Sequence, residues 1–496
     1  MTTPPDDSID TPRARAPGRP SRGPAIKGFA GDPALPKTCV IGAGCAGFTT
    51  AKRLKDFNIP FEVFEASDDI GGNWYYKNPN GMSACYQSLH IDTSKWRLAF
   101  EDLPVPEDWP DFPHHAQLLA YFRDYVSRFG LRETINFNTR VTRAHRREDG
   151  LWQVTLSTGE TRLYDALAVC NGHHWDPRLP DPVPGVFNGR TLHSHAYDDP
   201  FDPVDMRGKS IVVVGGGNSA MDIASELSQK PIAERLFISM RRGVWVMPKY
   251  FNGKPADKAV LPSWLPLSIG RKLAQAAIVK SIGRMEDYGL PKPDHPPLHG
   301  HPSVSGEFLT RVGCGDIRPK PAIKAFDGDH VIFADDSREK VDVIVYATGY
   351  KISFPFFDQD VFKPGPDNRF PLWKRMMMPD VDNLFFMGLA QPLPTLVNFP
   401  EQQSKLVARF LAGRYARPTA AQMAAQTIAD DKRYLGHFYE SPRHTIQIDF
   451  SHYVADLAKE IARGERRAHE GGLKLPVAAR AASVTPLPDP SSSKAA

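Results

Sequence analysis

Apolar positions in this chain cluster in short unbroken runs, each closed by glycine or by a charged residue. Thr38-Cys39-Val40-Ile41 is the first such run, and Phe61-Glu62-Val63-Phe64 is the next, ending at Glu65. Between them come glycines and then Phe48, Ala51 and Leu54 at helical spacing. Strand, glycine turn, helix and second strand make a βαβ unit, whose parallel strands are buried on both faces and so read as continuous apolar runs. The pattern returns later. Ile211–Val214 predicts a buried strand, Met221, Ile223, Ala224 and Leu227 a helix, and Arg235–Met240 a further strand ending at Arg241-Arg242.

Between the units, Val141–Arg146, Leu151–Leu156 and Ala166–Cys170 read as β segments. Residues 245–320, punctuated by proline and tryptophan, suggest a helical insertion. Val341–Ala347 and Asn383–Gly388 predict strands, and Gln402–Leu411 and much of 419–470 are helical by pattern. Residues 1–37 and 471–496 lack the apolar content to pack and are expected to be a disordered leader and tail.

Composition narrows the classes. A chain of 496 residues suggests about two to three domains. The net charge of +4 is too small to argue for nucleic acid. Five cysteines, at 39, 45, 85, 170 and 314, include no CxxC pair, which suits reduced thiols in the cytoplasm better than disulfides or a metal site. The leader has no apolar core of the kind that opens a secretory signal. No apolar run approaches the length of a spanning helix, so no integral membrane span is expected. Oligomeric state is left open, a homo-oligomer included.

The first glycine loop is Gly42-Ala43-Gly44-Cys45-Ala46-Gly47. Gly42 allows the tight turn, Gly44 lets backbone approach a pyrophosphate, and Gly47 lets the helix pack close to the strand. The pyrophosphate then lies at a helix N-terminus, where free N–H groups favour negative charge. Glu65, at the end of the next strand, can accept from both ribose hydroxyls of an adenosine. The second loop, Gly215-Gly216-Gly217-Asn218-Ser219-Ala220, is followed by a strand ending in arginine instead of an acid. A cation there pairs with a 2′-phosphate that a carboxylate would repel, and Arg241 is the better placed of the two arginines. The reading is an α/β protein with two nested Rossmann-like dinucleotide-binding domains. A discontinuous FAD domain (38–205 and 320–418) encloses an NADPH domain (206–319), and a helical extension (419–470) follows. Gly71, Gly72, Asn73 and Trp74 come soon after the first unit, and their glycines would bring backbone close to a flavin; a loop packed around a core Trp74 is the simpler alternative.

Over about residues 38–415 the sequence resembles the flavin-containing monooxygenases. Phe187-Asn188-Gly189-Arg190-Thr191-Leu192-His193-Ser194-His195-Ala196-Tyr197 matches the family fingerprint FxGxxxHSxxY just ahead of the second glycine loop. Tyr346-Ala347-Thr348-Gly349-Tyr350, Gly71-Gly72-Asn73-Trp74 and Asn171-Gly172-His173-His174 are similar to its ATGY, GGxW and SGHH elements. The resemblance implies FAD and NADPH as cofactors, with dioxygen and a small-molecule nucleophile as substrates. Flavin reduced by NADPH would capture dioxygen as a C4a-hydroperoxide that passes one oxygen to nitrogen or sulfur. Carried across, Gly42, Gly44, Ala46, Gly47, Glu65, Gly72, Asn73, Trp74, Val141 and Gln391 are expected at FAD, and Gly215, Gly217, Asn218, Ser219 and Arg241 at NADPH. His193 is expected to be structural, coupling the domains.

One position departs from the family. Where its members usually carry an asparagine that touches flavin and NADP⁺, this chain has Asp92, a carboxyl that donates only when protonated. Asp92 is thus expected at the cofactors as the residue that tunes catalysis, a loop acid bonded to neighbouring amides being the simpler reading. The related Baeyer–Villiger monooxygenases, which act on ketones, also use an active-site aspartate, although their fingerprint usually ends in tryptophan and this one in Tyr197. Disulfide reductases nest two such domains as well but need a redox cysteine pair and leave the fingerprint unexplained, and the undamaged cofactor loops count against a redox sensor without turnover. The polar stretch 439–447 resembles soluble bacterial members, whereas vertebrate members end in a membrane-binding tail.

Overall fold

Each βαβ unit seeds its own parallel sheet. The computed structural model describes residues 25–258, 267–300, 302–358, 362–436 and 445–475. In the first sheet the strand order is Leu384–Phe386, Ala166–Val169, Thr38–Ile41, Phe61–Phe64, Ile135–Asn136, all parallel. Successive side chains of a strand point to opposite faces, so Val40 joins a core with Phe48, Leu54, Phe122 and Tyr125. Cys39 and Ile41 join another, with Trp152, Leu167 and Phe386. Phe48, on the helix Cys45–Asp56, meets the rings of Phe100, Phe122 and Tyr125 at 5.2–5.7 Å. Its complete burial contributes roughly 1.5–3 kcal/mol.

The second sheet runs Arg318–Lys320, Arg235–Ser239, Ser210–Val214, Val343–Tyr346, Arg190–His193, again parallel. Val212 faces Phe237, Phe333 and Ile344 on one side. Ile211 and Val213 face Ala220, Ile223 and Leu227 of the helix Asn218–Leu227 on the other. All five strands fall between Ala166–Val169 and Leu384–Phe386 in the chain, so the second domain is inserted into the first.

The inserted sheet reaches beyond the expected 206–319. Arg190–His193 and Val343–Tyr346 belong to it, although both were assigned to the outer domain. A short apolar run carries no mark of the sheet it will join; pairing on both sides of Val343–Tyr346 decides that. Residues 25–37 depart from the expected disorder: Phe29 bridges Phe61 with its ring tilted 5.5 Å away, and Asn136 Oδ1 accepts from Lys27 N, so this stretch is packed. The C-terminal extension holds two helices, Ala420–Leu435 and Phe450–Glu470, with the strand Gln447–Asp449 ahead of the second. That strand pairs in parallel with Gln391–Leu393. In the insertion, Leu267–Ile282 is a helix whose Ile278 and Ile282 are buried in the second domain's core. The expectations for residues 1–24, 261–266, 439–444 and 476–496 lie outside the described residues. Among the described residues no helix is long and apolar enough to cross a membrane.

Candidate functional site

The first glycine loop is built as its spacing requires. Gly42 has φ +99°, and a Cβ there would lie 2.7 Å from Cys170 O. At Gly47 a Cβ would fall 1.8 Å from Gly42 O, so only glycine lets this helix start so close to its strand. Gly44 differs: a Cβ there would meet nothing nearer than Gly72 Cα at 3.7 Å. It is also the helix N-cap, with no side chain capping the first turn. Free N–H groups and open space together make a cradle that fits a pyrophosphate. Gly71 and Gly72 both have positive φ and lay the turn Gly72–Trp74 onto this loop, with Gly71 N donating to Ala43 O. Asn73 Oδ1 accepts from Ala84 N, and Trp74 is partly buried against the first core.

Glu65 is buried at the loop's edge. Its Oε2 accepts from Ala43 N at 2.7 Å and its Oε1 from Ser67 N at 2.8 Å. Burial raises its pKa, and these amide donors oppose the rise. A carboxylate has about four acceptor positions, so Glu65 keeps capacity for ribose hydroxyls. Ala46 and Gly388 approach closely, a Cβ on Gly388 lying 3.4 Å from Ala46 Cβ. Gln391 follows on the same segment, and Val141 opens the meander Val141–Arg146, Trp152–Leu156, Thr161–Tyr164.

The second loop has the same form. Gly215 has φ +143°, with Ala347 O where a Cβ would sit, and Gly217 is an N-cap without a side-chain cap. Asn218 Oδ1 accepts from Val304 N at 3.0 Å, and Ser303 Oγ donates to Gly216 O. The end of the insertion therefore clasps this loop, a contact that no motif marked. Ser219 lies in the helix's first turn. Arg241 is exposed and makes no ion pair among the described residues, whereas Arg242 is paired with Asp294. Arg241 thus has its charge free at the strand end where a 2′-phosphate would lie.

Between the domains the segment 92–94 is held from both sides. Thr93 Oγ1 donates to Pro394 O of the outer domain, and Ser94 N donates to Asp257 Oδ2 of the insertion. Asp92 pairs with Lys249 at 3.3 Å. Burial and the neighbouring Asp222 push the Asp92 carboxyl up to about 7, while Lys249 draws it down. Asp222 lies on the second glycine-loop helix; burial raises its pKa too, and it accepts from Tyr86 Oη at 2.6 Å. One turn on, Glu226 accepts from Tyr197 Oη at 2.8 Å. Two carboxyls thus face one ammonium, and low dielectric favours a proton kept on one of them. The simpler reading of Asp92, a loop acid satisfied by nearby amides, does not describe this geometry. Tyr86, Asp222 and Lys249 went unremarked in the sequence, because each belongs to a different segment with no motif of its own.

The remaining motifs meet around one ring. His174, His193 and His195 lie 5.4–5.8 Å from Tyr350, and burial lowers His193 and His174 to about 4, so both are neutral. All five cysteines are free, and burial pushes Cys45 and Cys85 up to about 12, leaving thiols with no dithiol chemistry at neutral pH.

The family described as flavin-binding monooxygenase-like matches residues 36–466. Flavin-containing monooxygenase 5 of Rattus norvegicus is 34% identical over 444 residues, covering 85% of this chain and 82% of the relative. Dimethylaniline monooxygenase [N-oxide-forming] 2 of Oryctolagus cuniculus is 34% identical over 448 residues, covering 86% and 82%. Among solved structures, the S-allyl-L-cysteine S-oxygenase of Allium sativum aligns over 88% of this chain and 92% of its own, with a TM-score of 0.63 at 25% identity.

Proposed function

Because this chain belongs to the flavin-binding monooxygenase-like family, an FAD- and NADPH-dependent monooxygenase by that membership, we propose that it oxygenates a nucleophilic nitrogen or sulfur. When bound, FAD supplies the chemistry that activates dioxygen, and NADPH supplies the reducing equivalents. The protein's part is to hold both and to keep water from the place where they meet. In this reading Gly42, Gly44, Ala46, Gly47, Glu65, Gly72, Asn73, Trp74, Val141 and Gln391 line the FAD site. Gly215, Gly217, Asn218, Ser219 and Arg241 line the NADPH site. The observation that carries the assignment is the 92–94 segment, tied to Pro394 on the outer domain and to Lys249 and Asp257 on the inserted one. In this reading Asp92, on a segment tied to both domains, lies where the two cofactors would converge. Kept protonated, its carboxyl donates a hydrogen bond as the family's asparagine would. Relatives named for N-oxide formation and S-oxygenation support the nitrogen or sulfur class.

A second reading, oxygen insertion beside a ketone, draws on the Asp92–Lys249 pair. Negative charge developing at a carbonyl is stabilised by the Lys249 ammonium and opposed by an ionised Asp92. The buried, free cysteines suit a reducing compartment, the cytoplasm in this proposal. The test presents purified, FAD-loaded protein with a tertiary amine, a thioether and a cyclic ketone, comparing NADPH consumed with product by mass spectrometry. N-oxide or sulfoxide formed in step with NADPH is expected. Lactone as the sole product would replace the first reading with the second, and no oxygenated product from any of the three would remove both.

A further inference from the structure

Ser94 opens the four-residue helix Lys95–Leu98 as its N-cap, but its own side chain caps nothing. In the usual capping box an acid at the third helical position reaches back to the N-cap N–H. Arg97 stands at that position here. The acid comes instead from 163 positions along the chain, where Asp257 Oδ2 accepts from Ser94 N at 2.7 Å. Arg97 completes the exchange, its Nε donating to Asp257 O at 3.2 Å. Ser94 is wholly buried, so its N–H depends on that acceptor.

Asp257 is one end of a larger grip. The hairpin Tyr250–Phe251, Lys254–Pro255 separates it from Lys249, and Ala256 N donates to Lys249 O at 2.9 Å, closing the hairpin's base. One closed turn thus presents a cation and a carboxylate together, Lys249 to Asp92 at 3.3 Å and Asp257 to Ser94 two residues on. Further out, Tyr250 Oη donates to Asp111 Oδ2 at 3.2 Å, and its ring meets Phe112 edge-on at 5.4 Å. Lys258 Nζ lies 3.5 Å from the centroid of the Trp96 ring. All these contacts join the insertion to the 92–112 stretch of the outer domain. From the other side Thr93 Oγ1 donates to Pro394 O at 2.6 Å, so residues 92–94 are gripped between the two domains.

A misplacement of about 1 Å at a reacting centre can cost as much as about a hundredfold in rate. We infer that Asp257 is a positioning residue for oxygenation, fixing from the inserted domain the backbone that carries Asp92. The inference rests on the reading above that places Asp92 at the cofactors.

Asp257→Ala removes the acceptor and alters no residue of either glycine loop. In the full-length protein without added cofactor, amides of 92–98 should exchange with deuterium about tenfold faster than in wild type, the size of one lost charge-assisted hydrogen bond. Loaded with FAD, the variant should keep the KM for NADPH, while kcat for oxygenating the amine or thioether falls about tenfold. Asp257→Asn retains an acceptor oxygen and should recover most of both effects. Should the alanine protein not fold, Asp257→Glu, whose longer side chain displaces the acceptor, stands in for it with the same expected losses. Unchanged exchange, unchanged kcat, a loss confined to KM, or an asparagine variant as impaired as the alanine one would each overturn the inference. Wild-type protein that takes up FAD but oxygenates none of the three test compounds would instead overturn the reading beneath it.

Discussion

Replacing Asp92 by asparagine separates a carboxyl kept neutral by its surroundings from one kept charged by Lys249. Burial and Asp222 raise its pKa to about 7. The same group in an unfolded chain titrates near 4. The unfolded chain thus releases this proton about three pH units before the folded one, and folding takes up a proton between those values. The sign follows: stability falls as pH rises from about 4 to about 7 and is level above it. Three units correspond to roughly 4 kcal/mol. That is an upper bound, since 21% of the side chain still meets solvent and Asp222 shares the perturbation. Asparagine has the same shape and no proton to lose. Its variant should match wild type near pH 4 and exceed it by roughly 2–4 kcal/mol at pH 8, read from urea midpoints across the range. Enzymatically the variant should retain FAD and change the fraction of NADPH coupled to product, most of all above pH 7. Parallel stability curves across the whole pH range would mean that Asp92 titrates alike in the folded and unfolded chain and that Lys249 fully offsets its burial.

Two glycines of the first loop should fail in different ways. Gly44→Val should fold with near-normal stability yet purify colourless, because its Cβ meets only Gly72 Cα at 3.7 Å and the space lost is the cofactor's. Gly47→Ala, whose Cβ would fall 1.8 Å from Gly42 O, should lower the thermal midpoint of the FAD-free protein as well. A yellow Gly44→Val protein would remove Gly44 from the site. Arg241→Ala should weaken NADPH binding about ten- to hundredfold, the equivalent of one charge-assisted bond of roughly 1.5–3 kcal/mol, and leave NADH nearly unchanged; equal losses would give Arg241 another role. Tyr197→Phe strips the half-buried Glu226 of one hydroxyl donor. It should cost about 1–3 kcal/mol in urea denaturation with FAD content intact, and a neutral result would show that water replaces the hydroxyl.

The sequence by itself determined the parts whose physics is local. Four apolar residues, glycines at fixed offsets and a helix with apolar spacing can make only a strand, a tight turn and a helix with an open N-terminus. Both cofactor loops and the acid or arginine ending each following strand were legible for that reason. So was the contrast between Glu65 and Arg241, because charge and chain position are both written in the sequence. Tertiary structure decided what depends on distant segments meeting. Val343–Tyr346 entered the inserted sheet by pairing with Ser210–Val214 and Arg190–His193, a choice its own apolar run does not encode. Residues 25–37 packed because Phe29 found Phe61, against a composition that argued for disorder. Lys249 and Asp222 changed the meaning of Asp92 from 157 and 130 positions away along the chain, since burial and Coulomb interactions act through space.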